Sequence, residues 1–342
     1  MRNTKGCVVF AIVAALIALG ARTTADAESS VVVNACHVSP IVDDLDRAAR
    51  FYHELLGMDL NPPPPPGPLP VDTDAGHLFL HGVPQARLRF IQARIPGVRC
   101  GIEIVELTNV DRKTIHRRTE DPGSVTLVLT VRDLDAAYAA LKRANVPVVT
   151  TGGMPVAIRG ARALVVQDPD GHYVELQQLD SMPTTSIPAS SNVIGIGLRI
   201  TVADIDQSLA FYRHVLGIAG MAQPFEKDRA RLTLAGLAPS GELRTATVAI
   251  PGSSHTLDLV QFRGIGSKAT AIPSRVQDPG SYRLQLTFKS IDAALDALAA
   301  EGLHTISSGG KPVSMTFGGR PWRLAIVPDR QNLFLIVQQA PS

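Results

Sequence analysis

The chain has 342 residues, 45% of them hydrophobic and 19% charged, with 5% aromatic residues and a single tryptophan. This is globular composition, which excludes a disordered or collagen-like chain, and the length predicts about two domains. Lys and Arg number 33 against 31 Asp and Glu, so no global field recruits a phosphate backbone and nucleic acid is not expected as a partner.

Arg2 and Lys5 precede an apolar run from Gly6 to Gly20, and Ala25-Asp26-Ala27 supplies the small residues of a cleavage site. This is the layout of a secretory signal peptide over residues 1–27. As a helix the run spans about 22 Å, against roughly 30 Å of hydrocarbon, so it is short for a permanent anchor. Nothing later in the sequence is long and apolar enough to span a membrane. The expected mature protein is secreted or periplasmic. Subtracting Arg2, Lys5, Arg22 and Asp26 leaves it 30 basic and 30 acidic residues.

An alternating segment around His37 to Val42 reads as a strand. A helix follows, capped by Asp44 or Asp46, with an apolar stripe of Ala48, Phe51, Tyr52, Leu55 and Leu56, and ended by Gly57. Phe51-Tyr52 reads as helix packing. Pro62 to Pro66 reads as a stiff loop at a cup rim, with a proline-rich recognition ligand as the alternative. Three strand-like runs come next: Gly76–Val83, Ala86–Ala93 and Gly101–Leu107. His77 and His81 fall on one face of the first and read as rim residues or substrate contacts.

The pattern repeats. Thr126 to Val131, Asp133-Leu134-Asp135 and an Ala-rich helix imitate the first strand, turn and helix. A Ser, Thr and Pro-rich linker, 180–192, separates two halves that match each other. Val42-Asp43-Asp44-Leu45-Asp46 with Phe51-Tyr52 and Leu56-Gly57 returns as Val202-Ala203-Asp204-Ile205-Asp206 with Phe211-Tyr212 and Leu216-Gly217. Asp121-Pro122-Gly123-Ser124 returns as Asp278-Pro279-Gly280-Ser281. Repeats kept in order over the chain indicate duplication. Four β-α-β-β-β units follow, starting near Val31, Gly123, Asn192 and Gly280.

In the four first strands one face is apolar: Val38, Pro40, Val42; Leu127, Leu129, Val131; Leu198, Ile200, Val202; Leu284, Leu286, Phe288. The other face is mostly polar, and polar side chains in a concavity call for water, metal or ligand. Ser254-His255 has no nucleophile elbow around it, and Gly195-Ile196-Gly197 lacks the third glycine of a dinucleotide loop.

These four units, with the Leu-Gly helix ending and the Asp168-Pro169-Asp170-Gly171 turn before a strand carrying Glu175, resemble the vicinal oxygen chelate superfamily. That superfamily includes glyoxalase I, extradiol dioxygenases, methylmalonyl-CoA epimerase and the bleomycin resistance proteins. The resemblance implies an α+β fold of four βαβββ modules forming two cup-shaped, glyoxalase-like domains, 31–179 and 193–340. It also implies metal ligands on the inner faces, one on each first strand and one on each last strand. In this chain those positions are His37, Thr126, Gly197 and Arg283, with Glu106, Glu175, Gln261 and Ile336.

Pairing the first unit with the second gathers His37, Glu106 and Glu175, a set suiting Zn, Fe, Mn, Ni or Co. Thr126 stands where the superfamily's second histidine would be. The crossed pairing, first with fourth, sets His37 and Glu106 against Arg283 and separates Glu175 from the histidine. The first pairing is therefore expected, with no metal in the second cup, where Arg199 and Arg283 would receive a small anion or pair with an internal acid such as Asp258. Thr126, Arg199 and Arg283 are the candidate substrate contacts.

Two functions follow: a metal-dependent lyase, isomerase or dioxygenase acting on a small oxygenated substrate, or a non-catalytic small-molecule-binding protein with degenerate metal sites. Strand parity places Cys36 on the helix-facing side and Cys100 on the cup side, so both are expected as free thiols.

Overall fold

The computed structural model describes residues 32–98, 100–253, 255–266, 269–331 and 333–341. The signal segment 1–27, Val31 and Ser254 lie outside the described residues. No described helix is long and apolar enough to cross a membrane.

Each unit opens on a long strand and a capped helix. β1 (Val32–Val42) leads to α1 (Leu45–Arg50), which runs on through a wider turn to Leu55. β2 (Asp59–Asn61), α2 (Ala75–Leu80), β3 (Arg87–Arg94) and β4 (Ile102–Thr108) complete the first unit. The second is β5 (Val125–Val131), α3 (Leu134–Arg143), β6 (Val156–Ile158), β7 (Ala161–Gln167) and β8 (Tyr173–Leu179). The third is β9 (Val193–Thr201), α4 (Ile205–Leu216), α5 (Arg229–Leu234), β10 (Glu242–Ala249) and β11 (Thr256–Arg263). The fourth is β12 (Tyr282–Phe288), α6 (Ile291–Ala300), β13 (Val313–Phe317), β14 (Arg320–Pro328) and β15 (Phe334–Gln339).

Asp44, Asp133, Asp204 and Ser290 cap the four principal helices by accepting backbone N–H bonds in the first turn, as residues of this type do. The expected strand over 76–83 is instead the short helix α2, started by the Asp74 side chain. Helical and strand periods both put His77 and His81 on one side, so alternation could not separate the two readings. Pro62 to Pro66 form an exposed loop after β2.

The strands make two sheets, ordered β13-β14-β15-β12-β1-β4-β3-β2 and β10-β11-β9-β5-β8-β7-β6. The first unit thus shares a sheet with the fourth, through antiparallel β1 and β12, and the second with the third, through β5 and β9. This corrects the expected pairing of first with second. Segment 180–192 accordingly joins β8 to β9, the two strands that flank β5 in one sheet, rather than two separate cups. It is pinned there by Arg132, which donates to the carbonyls of Ile187 and Ser191.

The crossing is made at the repeated Asp-Pro-Gly-Ser turns. The segments leading into them lie against each other: Ile115 N–H donates to the Pro279 carbonyl, and Lys113 N–H to Asp278. Gly280 has φ +94°, and a Cβ there would meet the Ile115 carbonyl oxygen at 2.1 Å; at Gly123 (φ +85°) it would meet the Gln331 oxygen at 2.3 Å. Glycine is needed at both for the backbone angle and for the approach.

The apolar faces read from the first strands, Val38 and Val42, Leu127 to Val131, Leu198 to Val202 and Leu284 to Phe288, join the helices in one core. The Phe-Tyr pairs belong to it, and their hydroxyls reach the opposite unit of their own half. Tyr52 donates to Asp168 at 3.2 Å and Tyr212 to Asp329 at 3.5 Å. Each half is therefore tied together through its helices while its strands are shared out between the sheets.

Cys36 and Cys100 form a disulfide, contrary to the expectation of two thiols. Side-chain alternation holds only within a regular ladder. β1 shifts register between Ala35 and Val38, and Cys100 lies before β4 begins at Ile102. The bridge closes a loop of 64 residues, for which chain entropy predicts about 4 kcal/mol of stabilisation.

Two outcomes are expected. Denatured, unreduced mature protein should show no titratable thiol from Cys36 or Cys100, and reduction should lower the urea midpoint. Gly280→Ala should destabilise by at least about 2 kcal/mol, read as a lower urea midpoint at unchanged slope.

Candidate functional site

Counting back from the strand ends fixes the inner positions. Glu106, Gln178, Gln261 and Gln339 are equivalent: each accepts the first N–H of its unit's helix, from Leu45 at 3.3 Å, Leu134 at 3.0 Å, Ile205 at 3.1 Å and Ile291 at 3.0 Å. Glu106 is held further by Arg89, at 2.6 and 2.9 Å, which also binds Asp46 at 2.8 Å. These side chains lie on the helix side and anchor helices. Glu106 is thus withdrawn from the expected metal set: it was placed in the cup one parity step out, and its three equivalents show its role.

Three residues earlier on each last strand are Glu103, Glu175, Asp258 and Ile336. The first-strand positions are His37, Thr126, Gly197 and Arg283, as the sequence reading has them. The crossed sheets divide these eight into two sets. The cup of units one and four receives His37, Glu103, Arg283 and Ile336. The cup of units two and three receives Thr126, Gly197, Glu175 and Asp258. His37 and Glu175 lie in different sheets, so the expected His37, Glu106 and Glu175 set is not brought together. Arg199 and Arg283, expected to share a cup, are separated likewise, while Thr126 stands directly across from Arg199.

The cup of units two and three is filled. Glu175 is fully buried and forks onto Arg199, with Nη2 to Oε1 at 3.2 Å. Asp258 is taken by the Thr247 hydroxyl at 2.7 Å. Leu232 of α5 packs with Leu243, Val260 and Ile265 above the pair, and the remaining void is about 40 Å³.

The cup of units one and four is hollow, with a cavity of about 370 Å³, within the range of small-molecule sites. Its floor carries Arg283, 1% exposed on β12. The guanidinium meets the His81 Nε2 and reaches Glu103 Oε2 at 3.2 Å, and its Nε has no partner. Ser39 also donates to Glu103, at 3.2 Å. His81 is oriented by its Nδ1, 2.6 Å from the His77 carbonyl; that nitrogen donates, leaving Nε2 as an acceptor for arginine. Burial, and then the Arg283 charge, hold the His81 pKa well below the usual histidine value. His37 Nδ1 accepts from Gly101 N–H at 3.3 Å, and its Nε2 is 3.4 Å from Gln92 Nε2. The walls are apolar, with Leu80 and Leu88 on one side and Leu324 and Ile336 on the other.

This donor set does not fit a divalent metal. Of its four positions, one holds a fixed positive charge that already neutralises the only carboxylate, and one holds an alkyl chain. Among the described residues, no three His, Cys, Asp or Glu side chains are grouped to hold an ion. His81 and Glu103 were missed as cup-floor residues in the sequence. The register of Glu103, three residues before a helix-anchoring Glu or Gln, is the signal that could have found it.

Residues 36–176 match the family model of the Glyoxalase/Bleomycin resistance protein/Dioxygenase superfamily. Glyoxalase I from Zea mays is 18% identical, covering 90% of this chain and 92% of that one, with a TM-score of 0.52. A mutant of the same enzyme reaches a TM-score of 0.55 at 16% identity, with 90% and 93% covered. A putative dioxygenase from Bacillus subtilis subsp. subtilis str. 168 is 11% identical, with 91% and 86% covered and a TM-score of 0.52. No curated protein matches the chain. The match to that superfamily lies in residues 36–176, and the chain has a glyoxalase-like fold with two cups, each assembled from one unit of either half.

The buried imidazole makes a pH prediction. His81 stays neutral when folded, so below about pH 6.5 the unfolded chain gains a proton that the folded chain refuses, and stability falls as pH falls. Asp329, whose pKa burial raises to about 7, titrates with the opposite sign, which makes comparison with a variant necessary. Relative to His81→Gln, the wild type should lose about 1.4 kcal/mol per pH unit between pH 6 and 5, measured by urea unfolding at each pH.

Proposed function

We propose that this protein is an exported, metal-independent small-molecule-binding protein that holds its ligand in the cup of units one and four. The observation that carries the reading is Arg283, a buried guanidinium at a position where the superfamily's pattern calls for a metal ligand. A lyase, isomerase or dioxygenase mechanism through a divalent ion would need that position, and Ile336 opposite, to donate an electron pair. Neither side chain has one to give. The hollow beside Arg283 argues that the cup keeps a binding role, since the other cup, built from equivalent strands, is closed by its own side chains.

Export is supported by the layout of residues 1–27 and by the Cys36–Cys100 disulfide, a bond of oxidising compartments. The expected partner is a small molecule, bound without nucleic acid.

The test uses two measurements on the mature chain. After incubation with zinc or manganese and gel filtration, metal content should be well below one ion per chain. Prodan, a neutral dye with two fused rings, should bind at one site and quench Trp322, the only tryptophan in the sequence and a residue of the cavity wall. One tightly held ion per chain that disappears in His37→Ala would overturn the reading, as would a dye that leaves Trp322 unaffected.

A further inference from the structure

We infer that the ligand of this cup is an aromatic carboxylate, its anionic head on Arg283 and its ring at the mouth; this rests on the binding role proposed above. Two guanidinium groups, Arg283 and Arg94, line the cavity against one carboxylate, Glu103. His81 accepts from Arg283 and brings no charge. The side chains that line the cavity therefore include one more guanidinium than carboxylate, and Arg283 itself is buried, where a charge acts strongly. Arg283 also has an unused donor: its Nε is buried without a partner, and an unmet donor on a buried cation is costly. A carboxylate oxygen satisfies both the charge and the donor, and guanidinium binds carboxylates through paired, charge-assisted bonds.

The mouth of the cavity is aromatic. His77 meets Phe90 edge-on at 5.5 Å and Phe317 at 6.0 Å, and Phe317 meets Trp322 edge-on at 6.3 Å. These four line the cavity on three different elements, α2, β3 and the β13–β14 hairpin. Phe317 is 40% exposed, an unusual state for a phenylalanine with aromatic neighbours and the state of a wall that still has a face to cover. The cavity volume, at the small end for ligand sites, suits one ring or two fused rings with a short acid arm.

Three probes separate charge from shape: phenylacetate, its neutral isostere phenylacetamide, and cyclohexylacetate, which keeps the acid and loses the ring. Each is titrated into the mature chain by calorimetry, with Trp322 fluorescence reporting entry into the cavity. Phenylacetate should bind, with phenylacetamide at least about tenfold weaker, as loss of a charge-assisted hydrogen bond predicts. Cyclohexylacetate should be weaker by about threefold or more. In Arg283→Gln the ratio between acid and amide should collapse toward one, with circular dichroism confirming the fold. If that variant does not fold, the wild-type ratio decides alone. Equal binding of phenylacetate and phenylacetamide overturns the assignment to Arg283, and equal binding of the two acids overturns the aromatic mouth. If Prodan enters while no probe does, the carboxylate inference fails and the binding cup stands. If neither dye nor probe reaches Trp322, the binding cup itself falls.

Discussion

The antiparallel seam between β1 and β12, with its counterpart between β5 and β9, is the constraint on which the rest of the molecule depends. Each seam joins the first strand of one half to the first strand of a unit from the other half. Once these strands pair, every inner position is assigned to a cup, and with it the company each polar side chain keeps. The chain crosses between the sheets near Gly123 and Gly280, where the backbones approach too closely for any side chain. The helices act in the other direction. Tyr52 on Asp168 and Tyr212 on Asp329 bind units that do not share a sheet, so neither cup can separate from the other without breaking buried bonds.

Both cups solve one electrostatic problem in the same way. Each inherits an acid on a last strand, and each places an arginine against it. In one cup the arginine is Arg199, two residues beyond the inner position Gly197 on β9; in the other it is Arg283, at the inner position itself on β12. That two-residue offset separates their outcomes. Arg199 shares the filled cup with the leucines of α5, and its ion pair takes the space a ligand would need. Ser39 stands at the corresponding place in β1, and its small side chain leaves the floor around Arg283 open. A buried ion pair is weak evidence for stability, because desolvation offsets much of the attraction. Its effect here is on chemistry: it removes Glu103 from metal duty, and Arg94 leaves the cavity lining with one guanidinium in excess.

Much of the architecture could be read from residues alone. The four-fold recurrence of an alternating strand, an Asp-led helix and a Leu-Gly ending is local physics, since apolar periodicity, capping and left-handed glycine act over a few neighbours. The apolar faces of β1, β5, β9 and β12 followed from period two and met in one core. The polar inner faces of the first strands also came from counting, and the resemblance to the superfamily picked out His37, Thr126, Gly197 and Arg283 on them.

What only the tertiary structure decided was partnership. No local signal says whether the first unit pairs with the second or with the fourth, because all four first strands present the same kind of edge. That choice moved Glu175 away from His37 and placed Arg283 beside it. The face of Glu106 was a second such decision: a glutamate near a strand end can point into the cup or reach back to a helix N-terminus, and Arg89 and the Leu45 N–H drew it to the helix. The disulfide was a third, since parity counted along a strand fails where the ladder shifts, as it does between Ala35 and Val38. The sequence therefore determined the elements and their faces, which depend on neighbours in the chain. The contents of each cup depend on contacts between different units, Arg283 with His81, 202 positions apart, among them, and these exist only once the sheets have formed.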